Sequence, residues 1–239
     1  MVERDVLLGL LAVTAGSADG WSYFGLGHAF VANMTGNTVF LGMSIFQKHG
    51  DPLHFFISLA CYAAGVITGS LLTRNISAAS DSDLWPRAVS RTLLLEALLL
   101  LLAEAGWISA RMHIHLTLSS GFLSIPLDLL LGTVAFAIGL QSAAMLQLKI
   151  PGIVTTYISG TWTSLMNGLV RIKRRPPTQE RQFEQRLRMQ AAILAVYFLS
   201  AVFTGLLFRY LPSGVGALSA LSVLFVAAYG LLRRSSPPA

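Results

Sequence analysis

The chain has 239 residues, of which 54% are hydrophobic and 12% charged, with a formal net charge of +6 and a mean hydropathy of +0.65. A soluble domain carries about a quarter charged residues, so this composition excludes one and defines an integral membrane protein. The cations sit in short runs beside apolar spans, which marks topology signals rather than a nucleic-acid-binding face, and a single cysteine, Cys61, excludes a disulfide framework or thiolate metal cluster.

In chain order, Met1 to Asp5 leads into an apolar run from Val6 to Ala18. Two acids against one arginine ahead of it argue against a cleaved signal peptide, so the run is expected to be retained. Asp19, Gly20, Trp21, Ser22 and Tyr23 interrupt it, and His28 opens a second segment that ends near Phe46. Gln47 to Pro52 is a turn by composition. His54 to Leu72 is a third span, in which Gly65 and Gly69 share one face and let another helix come close. That face serves an internal contact or a homodimer equally well. Arg74 to Arg91 reads as a polar connection outside the hydrocarbon. Thr92 to Ala110 is the most hydrophobic span and holds Glu96 and Glu104. Glu104 lies near enough to the end to reach the interface, whereas Glu96 must be protonated, paired or facing a cavity.

A loop with His113 and His115 follows, then a span from Ile125 to Met145 with Asp128 and Gln141. Lys149 to Gly152 breaks the chain before Ile153 to Val170. The connection 171–188 is dense in arginine and is expected to be cytoplasmic. Met189 to Tyr210 and Val215 to Leu232 are the last spans. Trp21, Tyr23, Trp85, Trp107 and Tyr210 are expected in the aromatic belts at the membrane surfaces.

Two polar knots stand out against this background. Asn33, Thr35, Gly36 and Asn37 cluster between Phe30-Val31 and Val39-Phe40-Leu41, and Thr155, Thr156, Ser159, Gly160 and Thr161 form a looser counterpart. Unpaired, such groups cost roughly 2 kcal/mol or more each in an apolar medium, so they satisfy one another or line a cavity. The bland alternative is side chains that cap broken helices or bond back to helix carbonyls.

The knots belong to a repeat. Leu7-Leu8-Gly9 with Ala12 and Gly16 matches Leu130-Leu131-Gly132 with Ala135 and Gly139; Thr35-Gly36 matches Ser159-Gly160; Thr68-Gly69 matches Thr204-Gly205. The expected architecture is therefore an all-α polytopic membrane protein of 6–8 segments, with one repeat over 1–111 and another over 124–234 in a single membrane domain. Interrupted helices are expected at Asn33–Asn37 and Thr155–Thr161. If each knot-bearing pair makes one net crossing, Arg4, Arg74, Arg87, Arg91, the basic connection, Arg233 and Arg234 fall on one side, and Lys48, Arg111 and Arg209 on the other. The positive-inside rule favours that inverted arrangement, the one in which transporters build a midplane site from broken helices.

Asp19-Gly20 with Ser22-Tyr23, Phe30 to Thr38, Gly139-Leu140-Gln141, Thr155-Thr156 and Ser159-Gly160-Thr161 together resemble the YoaK-like family of bacterial inner-membrane proteins. The chain departs from the family pattern at Ser159, where Thr is usual, and at Ser142, where Asn is often found. The resemblance implies a multi-pass protein of the bacterial inner membrane; it implies no particular activity.

No HExxH pair, GxSxG elbow, Walker loop or Cys/His ligand spacing occurs, so neither an enzyme, a cofactor nor a metal is expected. The reading is a secondary transporter or facilitator of a small polar solute, with membrane lipids as surroundings and no nucleic-acid partner. Asn33, Thr35, Gly36, Asn37, Gln141, Thr155, Thr156, Ser159, Gly160 and Thr161 form the substrate site, and Asp19 and Glu96 couple protons. A non-transporting scaffold or an ion channel are the alternatives.

Overall fold

A computed structural model describes residues 2–46, 51–74, 85–116, 127–148, 158–171 and 177–233. Among them every element is helical: α1 (Val2–Gly25), α2 (Met34–Ser44), α3 (Pro52–Thr73), α4 (Arg87–Leu116), α5 (Leu127–Gln147), α6 (Ile158–Arg171), α7 (Pro177–Tyr210) and α8 (Ala217–Leu232), with a 3-10 turn at Pro212–Gly214. Five of these are long and apolar enough to cross a membrane, namely α3, α4, α5, α7 and α8 with the turn before it. α1, at 24 residues, is about 36 Å long and runs inside the bundle. α2 and α6, with 11 and 14 residues, are too short to cross.

The directions of the helices follow from which residues meet. α3 and α5 run parallel: His54 lies 2.9 Å from Asp128 at their starts, and further along Gly65 meets Gly139 and Gly69 meets Ala143. A Cβ at Gly139 would come within 2.9 Å of Val66 N, so only glycine allows this crossing. The Gly65 and Gly69 face thus makes an internal contact. α1 and α7 pair in the same parallel sense, with Gly16 against Tyr197 and Ser200, Gly20 against Thr204, and Phe24 stacked on Phe208. α4 and α8 are antiparallel, Ser90 lying at Gly230 and Glu104 at Gly216. α4 also packs on α5, and α8 on α1.

Gly27 sits beside the His54 ring, so α1 ends where α3 begins. Arg233 pairs with Glu3 at 3.2 Å, which brings the start of α1 and the end of α8 together at the opposite end. Arg4, Arg74, Arg87, Arg91, Arg171, Arg181, Arg186, Arg188 and Arg233 therefore gather at one end of the bundle, and Arg111 and Arg209 lie at the other.

Several expectations are corrected. Asp19 to Tyr23 do not break the first segment, because α1 runs through to Gly25 with their polar groups held inside the bundle. The interruption after it is Leu26–Asn33, which reaches only the first residue of the first knot, and Thr161 lies inside α6. His113 and His115 belong to α4, not to a loop, and the basic connection becomes α7 from Pro177 onward. Trp21, Trp85 and Trp107 are buried at 0%, 6% and 5% exposure, so they fill the bundle instead of forming a belt; Tyr210, 75% exposed, stays outside. Glu104 is buried too, its carboxylate accepting the Gly216 N–H at 3.1 Å where α8 begins. This satisfies an orphan donor at a helix start.

Candidate functional site

The site is assembled from the chain between α1 and α2. Gly27 and His28 both take positive φ, +100° and +63°, and turn the chain back into the bundle. A side chain at Gly27 would be strained by that φ and would strike the His54 ring. The returning segment carries backbone polar groups into an apolar interior, where each needs a partner. Asn37 supplies two: its Oδ1 accepts the Phe30 N–H at 2.9 Å and its Nδ2 donates to Phe30 O at 2.6 Å. Nδ2 also donates to Ser58 Oγ at 3.0 Å, and Ser58 in turn donates to Phe30 O. Asp19 supplies the next two, its Oδ1 accepting from Val31 N at 2.8 Å and Ala32 N at 2.6 Å. Asn33 then caps α2, accepting from Gly36 N at 3.2 Å. From there α2 returns along the first half of α3, with Phe40 against Phe55.

α6 mirrors α2. It starts beside Tyr197 and runs antiparallel to α7 toward the arginine-rich end, with Ser164 accepting from Gln190 Nε2 at 2.8 Å and Gly168 against Leu187. The starts of α2 and α6 meet at a cavity of about 480 Å³. Its polar wall comprises Asn33, the cap of α2, Thr35 from α2, Ser159 from α6, Tyr62 from α3, Ser142 from α5 and Tyr197 from α7. Ala32, Met34, Val66, Leu146 and Ile158 complete it. The volume lies within the range of small-molecule pockets, and two helix N-termini turn their partial positive charge toward it. An apolar groove of about 600 Å³ between α6 and α7 adjoins the cavity, sharing Ile158 and Tyr197.

Each tyrosine is held by another side chain. Tyr197 Oη donates to Asp19 Oδ2, and Tyr62 Oη donates to Ser142 Oγ at 2.9 Å. Ser142 donates onward to Ile138 O at 3.0 Å. Asp19 is 4% exposed and stands behind Ala32 and Tyr197 as the carboxylate nearest the cavity among the described residues.

Of the expected site residues, Asn33, Thr35 and Ser159 are brought together on one wall. Gly36, Asn37, Gly160 and Thr161 lie on α2 and α6 outside it, and Asn37, fully buried, is the clamp on Phe30. Gln141 also lies off the wall, its Nε2 donating to Leu11 O at 3.0 Å and joining α5 to α1. Thr155 and Thr156 lie outside the described residues. Glu96 is fully buried on α4, neither carboxyl oxygen bonded to a described residue, and it is absent from the described cavity wall.

Tyr62, Ser142 and Tyr197 escaped the reading of the sequence, although the expected repeat offered a signal for them. Carrying the Gly16 and Gly139 match three residues on pairs Asp19 with Ser142, and carrying the Thr68-Gly69 match back pairs Tyr62 with Tyr197 to within a residue.

Eight helices of this kind, five of them spanning by length and composition, define a multi-pass α-helical membrane protein. Residues 7–230 match the model of the family described as "Protein of unknown function (DUF1275)", and the chain belongs to that family. It is 31% identical over 207 residues to the UPF0700 transmembrane protein YoaK of Bacillus subtilis (strain 168), covering 85% of this chain and 83% of that protein. No solved structure matches.

Proposed function

We propose that the protein is a secondary transporter or facilitator of a small polar solute across the cytoplasmic membrane. The observation that carries this reading is the 480 Å³ cavity into which two half-length helices from opposite halves of the chain both point their N-termini. Among its apolar side chains the wall holds three hydroxyl-bearing groups on Thr35, Ser142 and Ser159, two phenols and the Asn33 amide.

The halves read as inverted repeats, α1–α4 and α5–α8. Their packing supports this: α3 on α5 corresponds to α7 on α1, α4 on α5 to α8 on α1, α2 on α3 to α6 on α7, and α4 on α8 to itself. Such a pair of bundles can rock about a fixed central site. The arginine-rich end, with both termini, is the cytoplasmic one by the positive-inside rule. Asp19 is the group through which protons would couple, because it touches both the returning segment and the cavity wall. Glu96 lacks that connection.

The test is flux of a solute panel in proteoliposomes, comparing the wild type with Thr35→Leu and Ser159→Leu. Both positions are exposed to the cavity, so filling it should stop flux while unfolding stability changes by no more than about 0.5 kcal/mol. Flux that survives both substitutions would remove the cavity from the pathway.

A further inference from the structure

The cavity meets its occupant with an unequal pair of phenols. Both Tyr62 and Tyr197 commit their O–H to another side chain, Tyr62 to Ser142 on the same wall and Tyr197 to Asp19 behind it, so neither phenol has a proton left to donate to an occupant. At Tyr62 the chain of donors is neutral and ends on a backbone carbonyl, Ile138 O. At Tyr197 it ends on the Asp19 carboxylate, which draws the phenol proton toward itself and leaves the oxygen a stronger acceptor. Among the described residues no Lys, Arg or His lines the cavity.

We infer that the cavity takes a small solute bearing a protonated amine, and that the ammonium group sits at the Tyr197 end with Asp19 behind it. This rests on the cavity being the solute site, as proposed above. An ammonium brings the donors that both phenols have committed elsewhere, is attracted to aromatic rings, and compensates the Asp19 charge. A bare metal ion would leave most of 480 Å³ empty. A carboxylate in that place would face lone pairs and a like charge. The Asn33, Thr35 and Ser159 side chains and the two helix starts then receive the rest of the molecule.

The experiment is a thermal-shift titration of the purified protein in detergent with ethanolamine, tetramethylammonium, glycerol and acetate. Ethanolamine is expected to bind at least about tenfold more tightly than glycerol or acetate. Tetramethylammonium, cationic but without N–H donors, is expected to bind more weakly than ethanolamine. Asp19→Asn keeps an oxygen for Val31 and Ala32 but removes the charge, and should weaken ethanolamine about tenfold while leaving glycerol unchanged. Tyr197→Phe is the second variant, should Asp19→Asn fail to fold, and is expected to lose more ethanolamine affinity than Tyr62→Phe. Equal binding of tetramethylammonium, equal effects of the two tyrosine variants, or silence of ethanolamine overturns the inference. If glycerol or acetate binds instead, and Ser159→Leu abolishes it, the solute site stands and only its assignment to amines falls.

Discussion

The two halves of the molecule place the same kind of structure around the cavity with different chemistry. On one side α1 presents Asp19 to Tyr197 and to the backbone of the returning segment; on the other α5 presents Ser142 to Tyr62. Both pairs join helices that cross at glycine, Gly16 against Tyr197 and Gly139 against Tyr62 and Gly65. The backbone arrangement therefore does not depend on the carboxylate. What the first half adds is a buried carboxyl group, Asp19, and an amide clamp, Asn37 on Phe30, and these fix the first returning segment rather than the bundle.

That division predicts a descending series of effects. The largest belongs to the crossings that both halves share: Gly139→Leu must force α3 and α5 apart and should cost about 3 kcal/mol or prevent folding, with Gly16→Leu equally severe. A mild result at either position would break the equivalence of the halves. Asp19→Leu leaves the Val31 and Ala32 N–H groups and the Tyr197 hydroxyl without their acceptor, a loss of about 3 kcal/mol, measured by denaturant unfolding in detergent. Asn37→Leu should follow at about 2 kcal/mol for the same reason at Phe30. Asn33→Ala removes only the α2 cap and should cost about 1 kcal/mol. Ser142→Ala, the counterpart of the Asp19 change, is expected to be the smallest, near 1 kcal/mol or below, because one neutral hydrogen bond to Tyr62 is lost.

Much of this was legible in the sequence because the physics is local. Span lengths, the glycine faces and the uneven distribution of arginine all follow from composition along the chain, and they pointed to an all-helical polytopic membrane protein with interrupted helices. The Asn33, Thr35 and Ser159 cluster was legible because polar groups inside apolar runs are conspicuous. Asn37 and Gln141 were misjudged because a one-dimensional reading cannot tell a polar side chain facing a cavity from one clamping a neighbouring backbone. The tryptophans were misplaced because an aromatic near a span end looks the same whether it faces the bundle or the lipid. Asp19 looked like a helix breaker because its partners, Val31, Ala32 and Tyr197, are 12, 13 and 178 residues away.

The most direct test of the central claim, that the half-helix starts enclose a solute space, is the reactivity of a thiol placed there. In a Cys61→Ala background, Ser159→Cys would be treated with a small water-soluble methanethiosulfonate reagent in membranes, with and without each solute of the flux panel. Modification that is fast in its absence and slowed by the solute is the predicted result. A thiol that stays inert, or one whose reaction no solute slows, would show the space to be closed packing or lipid-filled, and would contradict the account.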